Sequence, residues 1–237
     1  MIAVLLAMKK FFTVLFCLSL AASGLLASND VPKREVLIQR LDTCEAILQE
    51  MQGNFKTAIP AEILRRARGI VIVNQVQAGL FLGIKDGYAV ALVRRPNGQW
   101  SLPAFLNAGE ASFGLQAGIK SVNTVLVIMD DPTARLVLNR RFNFGAEAKV
   151  IAGIRGAEKE AVTQALSAST ANIYAYTLGE GYYLGLAIKT GFMSPNEGAN
   201  QRLYNTKHRM PELLYSNWVQ PVPEVKYLMD YVTHITR

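Results

Sequence analysis

Between Lys33 and Gln52 the apolar positions Leu37, Leu41, Cys44, Leu48 and Met51 recur at steps of four and three. That spacing predicts an amphipathic helix over 33–52, stopped by Gly53 and Asn54. A second, shorter helix is expected in "PAEILRRARG". Pro60 opens it, Gly69 closes it, and Arg65, Arg66 and Arg68 crowd its last turn, where cations suit the helix dipole.

From Ile70 the period changes to two. "IVIVNQVQAGLFLGIKDGYAVALV" predicts strands with a turn at Lys85–Asp86–Gly87, and "RRPNGQW" predicts a second turn. "NAGEASFGLQAGIKS" alternates as one further strand, and "NTVLVIMDD" is a continuous apolar run of the kind a buried strand shows. Asp131 is the expected N-cap of a helix with Pro132 at its first position. "FNFGAEAKVIAG" alternates again, and "IYAYTLGEGYYLGLAIKTG" predicts a hairpin around Gly179–Glu180–Gly181. "NEGANQRLYN" and "PEVKYLMDYVTHI" predict two terminal helices.

Small residues recur at one spacing. Gly79 and Gly83, Gly114 and Gly118, and Gly181 and Gly185 each stand four apart. In "SFGLQAGIK" the polar Ser112, Gln116 and Lys120 share a parity with the glycines, and the apolar run is far too short for a bilayer. Glycine weakens a strand, so the pattern needs a reason: close approach of a neighbouring backbone, or a groove for a lipid or other ligand.

The N-terminus changes the picture. Lys9 and Lys10 precede an apolar stretch from Phe11, followed by Ala21, Ala22, Ser23 and Gly24, then Ala27 and Ser28. Residues 1–27 therefore have the form of a secretory signal peptide, with a retained anchor as the competing reading. Its removal takes Cys17 and leaves Cys44 on the apolar side of the first helix, an inert buried thiol with no disulfide partner. Loss of Lys9 and Lys10 takes the 25 Lys+Arg to 23 against 18 Asp+Glu, a mature charge of about +5. Such a balance suits anionic surfaces. No dense basic tract or recognition-helix pattern points to nucleic acid.

Little in the chain points to catalysis. There is no phosphate loop, and "GEASFG" displaces Ser112 from the position a nucleophile elbow requires. His208 and His234 are the two histidines, and neither belongs to a ligand cluster, so no metal or cofactor is expected. Asp130–Asp131 fits capping, and Glu110 and Glu147 fit a solvated strand face; a pocket joining Glu110, Glu147 or His208 would be the mark of an enzyme. Basic residues come in small sets: Lys33 and Arg34; Arg65, Arg66 and Arg68; Arg94 and Arg95; Arg140 and Arg141.

The segment from "LRRARGIVIVNQ" to "SVNTVLVIM", continued by "FNFGAEAKVIAGIRG", "IYAYTLGEGYYLGLAIKTG" and "NQRLYN", resembles the SYLF domain family, of the exported bacterial type. That family is also described as a lipid-binding or Las17-binding actin-regulator domain. The most specific pieces are Trp100–Ser101–x–Pro103, Ser112–Phe113–Gly114–x–Gln116–x–Gly118, and the tyrosine–glycine stretch at 174–185. The resemblance covers about 58–231, so 28–237 is expected to be a single SYLF-like domain preceded by helix 33–52. It departs at Gly153–Ile154, where the family usually has Gly-Pro, and at Glu147, often Asp. It implies membrane-lipid binding, of phosphoinositides in eukaryotic members. The expected export argues against actin as a partner and favours anionic lipids in general.

The expected fold is α+β: an antiparallel glycine-rich sheet, barrel-like or two-layered, with N- and C-terminal helices packed on it. The expected function is non-enzymatic binding of anionic phospholipid membrane surfaces in the periplasm or cell envelope. Lys33, Arg34, Arg65, Arg66, Arg68 and Lys120 are the candidate lipid-binding residues. The alternative is a structural or interaction protein of the envelope, packing its glycine-rich face on a protein partner.

Overall fold

The computed structural model describes residues 31–55, 57–79, 82–113, 118–143, 150–152, 171–178 and 191–237. The signal-peptide reading of 1–27, the Gly179–Glu180–Gly181 hairpin, Gly114 and Glu147 lie outside them.

The strands are β1 (Gly69–Gly79), β2 (Leu82–Val93), β3 (Ala104–Phe113), β4 (Gly118–Ile128), β5 (Phe142–Asn143), β6 (Val150–Ala152), β7 (Ile173–Leu178) and β8 (Gly191–Pro195). They form one sheet in the order β5-β8-β3-β2-β1-β4-β7-β6. Seven strands pair antiparallel and curl into a half-barrel, while β6 joins β7 in parallel at one edge. The helices are α1 (Arg34–Gly53), α2 (Ala61–Arg66), α3 (Asp131–Asn139), α4 (Glu197–Tyr204), α5 (Met210–Tyr215) and α6 (Lys226–Ile235), the last entered through a 3-10 turn at Pro223–Val225. The fold is thus α+β, as expected.

Helix α1 follows its apolar spacing: Leu37, Leu41, Cys44, Ile47, Leu48 and Met51 are buried. It packs on β1 and α6. The strands depart from simple alternation. Val71 and Ile72, Val90 and Ala91, and Val125, Leu126 and Val127 are all buried, so both faces of this end of the sheet are covered. Polar pairs join neighbouring strands next to these buried residues. Asn74 donates to Asn123 across β1 and β4 (2.9 Å), and Thr124 meets Thr177 across β4 and β7 (3.1 Å).

Four expectations are corrected. Lys85–Asp86–Gly87 is no turn: these residues pair with Gln77, Val76 and Gln75 within continuous β2. Gly87 is required there because a β-carbon would lie 2.2 Å from the Asn74 carbonyl oxygen. "SFGLQAGIK" is not one strand either. β3 ends at Phe113 beside Leu82 of β2, and β4 begins at Gly118 beside Gly79 of β1. Gly69 starts β1 rather than closing α2, which ends at Arg66. Asp130, not Asp131, caps α3, accepting from the Thr133 amide (2.8 Å). The C-terminal region also holds a helix, α5, that its six-residue length left without a readable period.

Candidate functional site

The end of the sheet where β1 begins and β2 finishes brings Arg65, Arg66, Arg68 and Arg94 together. Arg68 is held by its backbone, its amide donating to Ile128 O (2.8 Å) and its carbonyl accepting from the Arg94 amide (2.9 Å). Arg94 Nη1 donates to the Arg65 carbonyl (2.9 Å) and Nη2 to the Thr236 carbonyl (3.1 Å), and the guanidinium lies 5.1 Å from the centroid of Trp100. One arginine thus ties the end of α2 and the end of α6 to the β2–β3 turn.

The electrostatics of this end are unbalanced. Arg65 pairs with Glu62 on the same helix. Arg66 and Arg68 are exposed, and among the described residues no carboxylate pairs with them or with Arg94. Burial lowers the Arg94 guanidinium from its ordinary value, and the Arg68 charge lowers it further. Two backbone carbonyls and the Trp100 ring take up the Arg94 guanidinium, and the exposed Arg66 and Arg68 stand beside it.

The six candidate residues do not share one surface. Arg65, Arg66 and Arg68 lie together. Lys33 and Arg34 precede and open α1, and Arg34 is bound to Glu224 (2.7 Å), just before α6. That ion pair raises the Arg34 pKa and lowers that of Glu224. Thr236, which meets Arg94, follows the other end of α6, about 15 Å away along a ten-residue helix. Lys120 pairs with Gln77 in β4, eight residues from Ile128, or about 27 Å along the strand from the Arg68 contact. Lys33 and Arg34 therefore form one patch, and Lys120 stands apart from both.

Other basic residues serve the fold. Arg95 closes the C-terminus of α5: Nε donates to Leu214 O (2.9 Å), Nη2 to Leu213 O (2.9 Å) and Nη1 to Asn217 Oδ1 (2.6 Å). Arg40, Arg135 and Arg141 stand over the rings of Tyr88, Tyr215 and Phe192. Of the acid–base candidates, Glu110 is placed through its backbone alone, in β3 opposite Lys85 and Gly191. His208 lies between α4 and α5 with its ring 5.5 Å from that of Trp218. No group of three or more His, Cys, Asp or Glu fit to hold a metal ion occurs among the described residues, and no helix among them is long and apolar enough to cross a membrane.

Several residues singled out by the motif pattern build a buried node beside this end. Trp100 Nε1 donates to Thr236 Oγ1 (2.9 Å), and Ser101 Oγ accepts from the Val93 amide (3.0 Å). The Tyr204 hydroxyl donates to Pro103 O (2.6 Å). Asn200 brackets Phe105, accepting from its amide (2.6 Å) and donating to its carbonyl (3.1 Å). The segments 100–105 and "NQRLYN" are therefore partners in architecture. Gly69, Gly87 and Gly109 likewise make room for this chain's own atoms: Ile128, the β1 backbone and Phe192.

A family model described as "Ysc84: Las17-binding protein actin regulator" matches residues 109–235. LAS seventeen-binding protein 3 of Saccharomyces cerevisiae is 25% identical over 168 residues, 70% of this chain and 36% of that protein. Protein YSC84 of the same yeast is 24% identical over 147 residues, covering 62% of this chain and 31% of its own. The human SH3 domain-containing YSC84-like protein 1 is 23% identical over 164 residues, 69% of this chain and 47% of its own. The chain spans less than half the length of these relatives. The first of these is named as a binding protein. No solved structure matches.

Proposed function

Because the chain belongs to the Ysc84 (SYLF) family of Las17-binding actin-regulator proteins, we propose that it is a non-enzymatic lipid-binding protein that docks on anionic phospholipid surfaces. The contact is the cationic end built by Arg65, Arg66, Arg68 and Arg94. The observation that carries this reading is the exposed pair Arg66 and Arg68 beside Arg94, with no carboxylate partner for any of the three among the described residues. An anionic headgroup supplies the missing charge. Each basic side chain near such a bilayer contributes on the order of 1 kcal/mol, so three or four give weak, salt-sensitive attachment. Export through residues 1–27 to the periplasm or cell envelope completes the proposal. Mass measurement of the mature protein tests that part.

Co-sedimentation with vesicles of phosphatidylcholine, with and without phosphatidylserine, tests the binding. Pelleting is expected with the anionic vesicles alone and is expected to fall with added salt. The R65E/R66E/R68E variant is expected to stay in the supernatant. Equal pelleting with both vesicle types, or none with either, overturns the reading.

A further inference from the structure

The turn that carries Arg94 also holds, through Arg95, a loop with an exposed aromatic residue. Trp218 is 70% exposed, while the adjoining Val219 is 9% exposed. The indole is held outward. Its amide donates to Ser216 Oγ (3.3 Å), its ring meets His208 at 5.5 Å, and Val219 anchors the chain on its far side. Asn217, immediately before it, accepts from Arg95 (2.6 Å), the residue next to Arg94 in the same turn. The loop bearing Trp218 is thereby fastened to the turn that carries the cationic site.

We propose that Trp218 is the interfacial anchor of the membrane contact, inserting its indole at headgroup depth of an anionic bilayer while the arginine set engages the phosphates. This rests on the lipid-surface reading above. An indole has a large apolar body and one N–H donor, a combination that favours the boundary between headgroups and acyl chains. The charges nearby suit that occupant. Lys207 and Arg209 flank His208, and Arg95 stands behind Asn217. Glu212 is engaged by the Arg209 amide (2.8 Å), and Glu197 lies 3.5 Å from the Arg209 side chain. Arg209 and Glu197 offset each other, so Lys207 and Arg95 outnumber the remaining Glu212 beside the loop.

The test uses the full chain, vesicles of phosphatidylcholine and phosphatidylserine, and the same vesicles with brominated acyl chains. Trp100, the other tryptophan, is buried and serves as an internal reference. Emission of the wild-type protein is expected to shift to the blue on binding and to be quenched by the brominated lipid. W218F is expected to lose that quenching, and W218A to bind about tenfold more weakly. If the wild-type protein pellets with anionic vesicles but its emission is unquenched, or quenched equally in W218F, the anchor is refuted and the lipid-surface reading stands. A W218A variant that binds as tightly as wild type refutes it too. Failure of the wild-type protein to pellet removes both.

Discussion

The ring of Phe192 occupies the space that a β-carbon on Gly109, its cross-strand partner, would take: the nearest ring atom is 2.6 Å from that position. The Arg141 guanidinium then covers the ring, 3.8 Å from its centroid. At Gly87 the obstacle is backbone, Asn74 O at 2.2 Å, and backbone within a sheet has nowhere to go. G109A is therefore expected to cost about 1–2 kcal/mol as the ring shifts, and G87A about 3 kcal/mol or more. Urea denaturation of both variants checks the order; equal losses would contradict it.

Asn200 is fully buried and satisfies both its donor and its acceptor on Phe105. N200A leaves the Phe105 amide without its acceptor and is expected to destabilise by about 1–3 kcal/mol. N200D sets an oxygen against the Phe105 carbonyl, and is expected to cost more than N200A at neutral pH. Chemical denaturation of the pair decides it.

At Asp130 burial pushes the carboxyl up, but hydrogen bonds from Asn172 and from the Thr133 amide and hydroxyl outweigh it, and the pKa falls below its ordinary 3.8. A carboxylate depressed in the folded state contributes stability that is complete above its unfolded value and lost as pH falls through the folded one. D130A is expected to cost about 1 kcal/mol at neutral pH, as cap removals do. The difference from wild type is expected to shrink below pH 3.8. Thermal melts across the acid range measure it; a constant difference would show that the charge plays no part.

Arg34 already has a counter-charge in Glu224, and its patch stands apart from the α2 arginines. R34Q is expected to change stability by less than about 1 kcal/mol, as for an exposed ion pair. It is also expected to leave vesicle pelleting near the wild-type level. A loss as large as that of R65E/R66E/R68E would place the patch in the contact.

The first helix was legible because a single apolar stripe meets a single neighbouring surface, and Leu37 through Met51 keep that stripe. The sheet was legible as a sheet, but its strand limits were not. Lys85–Asp86–Gly87 carries the composition of a turn, yet Gly87 answers to the backbone across from it, a tertiary demand that local composition cannot express. Likewise the alternation of "SFGLQAGIK" runs on through the passage from β3 to β4, two strands separated in the sheet by β2 and β1. At the candidate site, the Arg65, Arg66 and Arg68 set was visible as a cluster. Arg94 was visible as one of a pair, but its direction was not: Arg94 turns to α2 and α6, and Arg95 to α5. Trp218 gave no signal, because one tryptophan in a polar loop looks the same in sequence whether it faces in or out.

The bond from Trp100 to Thr236 spans 136 positions. A nascent chain has no Thr236 to offer until every described strand has been made, so the node at 100–105 closes only after them. Until then the indole N–H and the Arg94 guanidinium lack an acceptor supplied by the final helix, and long-range closure of this kind slows folding. A chain cut short before Thr236 would keep every strand of the sheet and lose the clasp between its cationic end and α6. The final turn of α6 thus acts as a latch on the cationic end of the sheet, set only after the strands it fastens have been made.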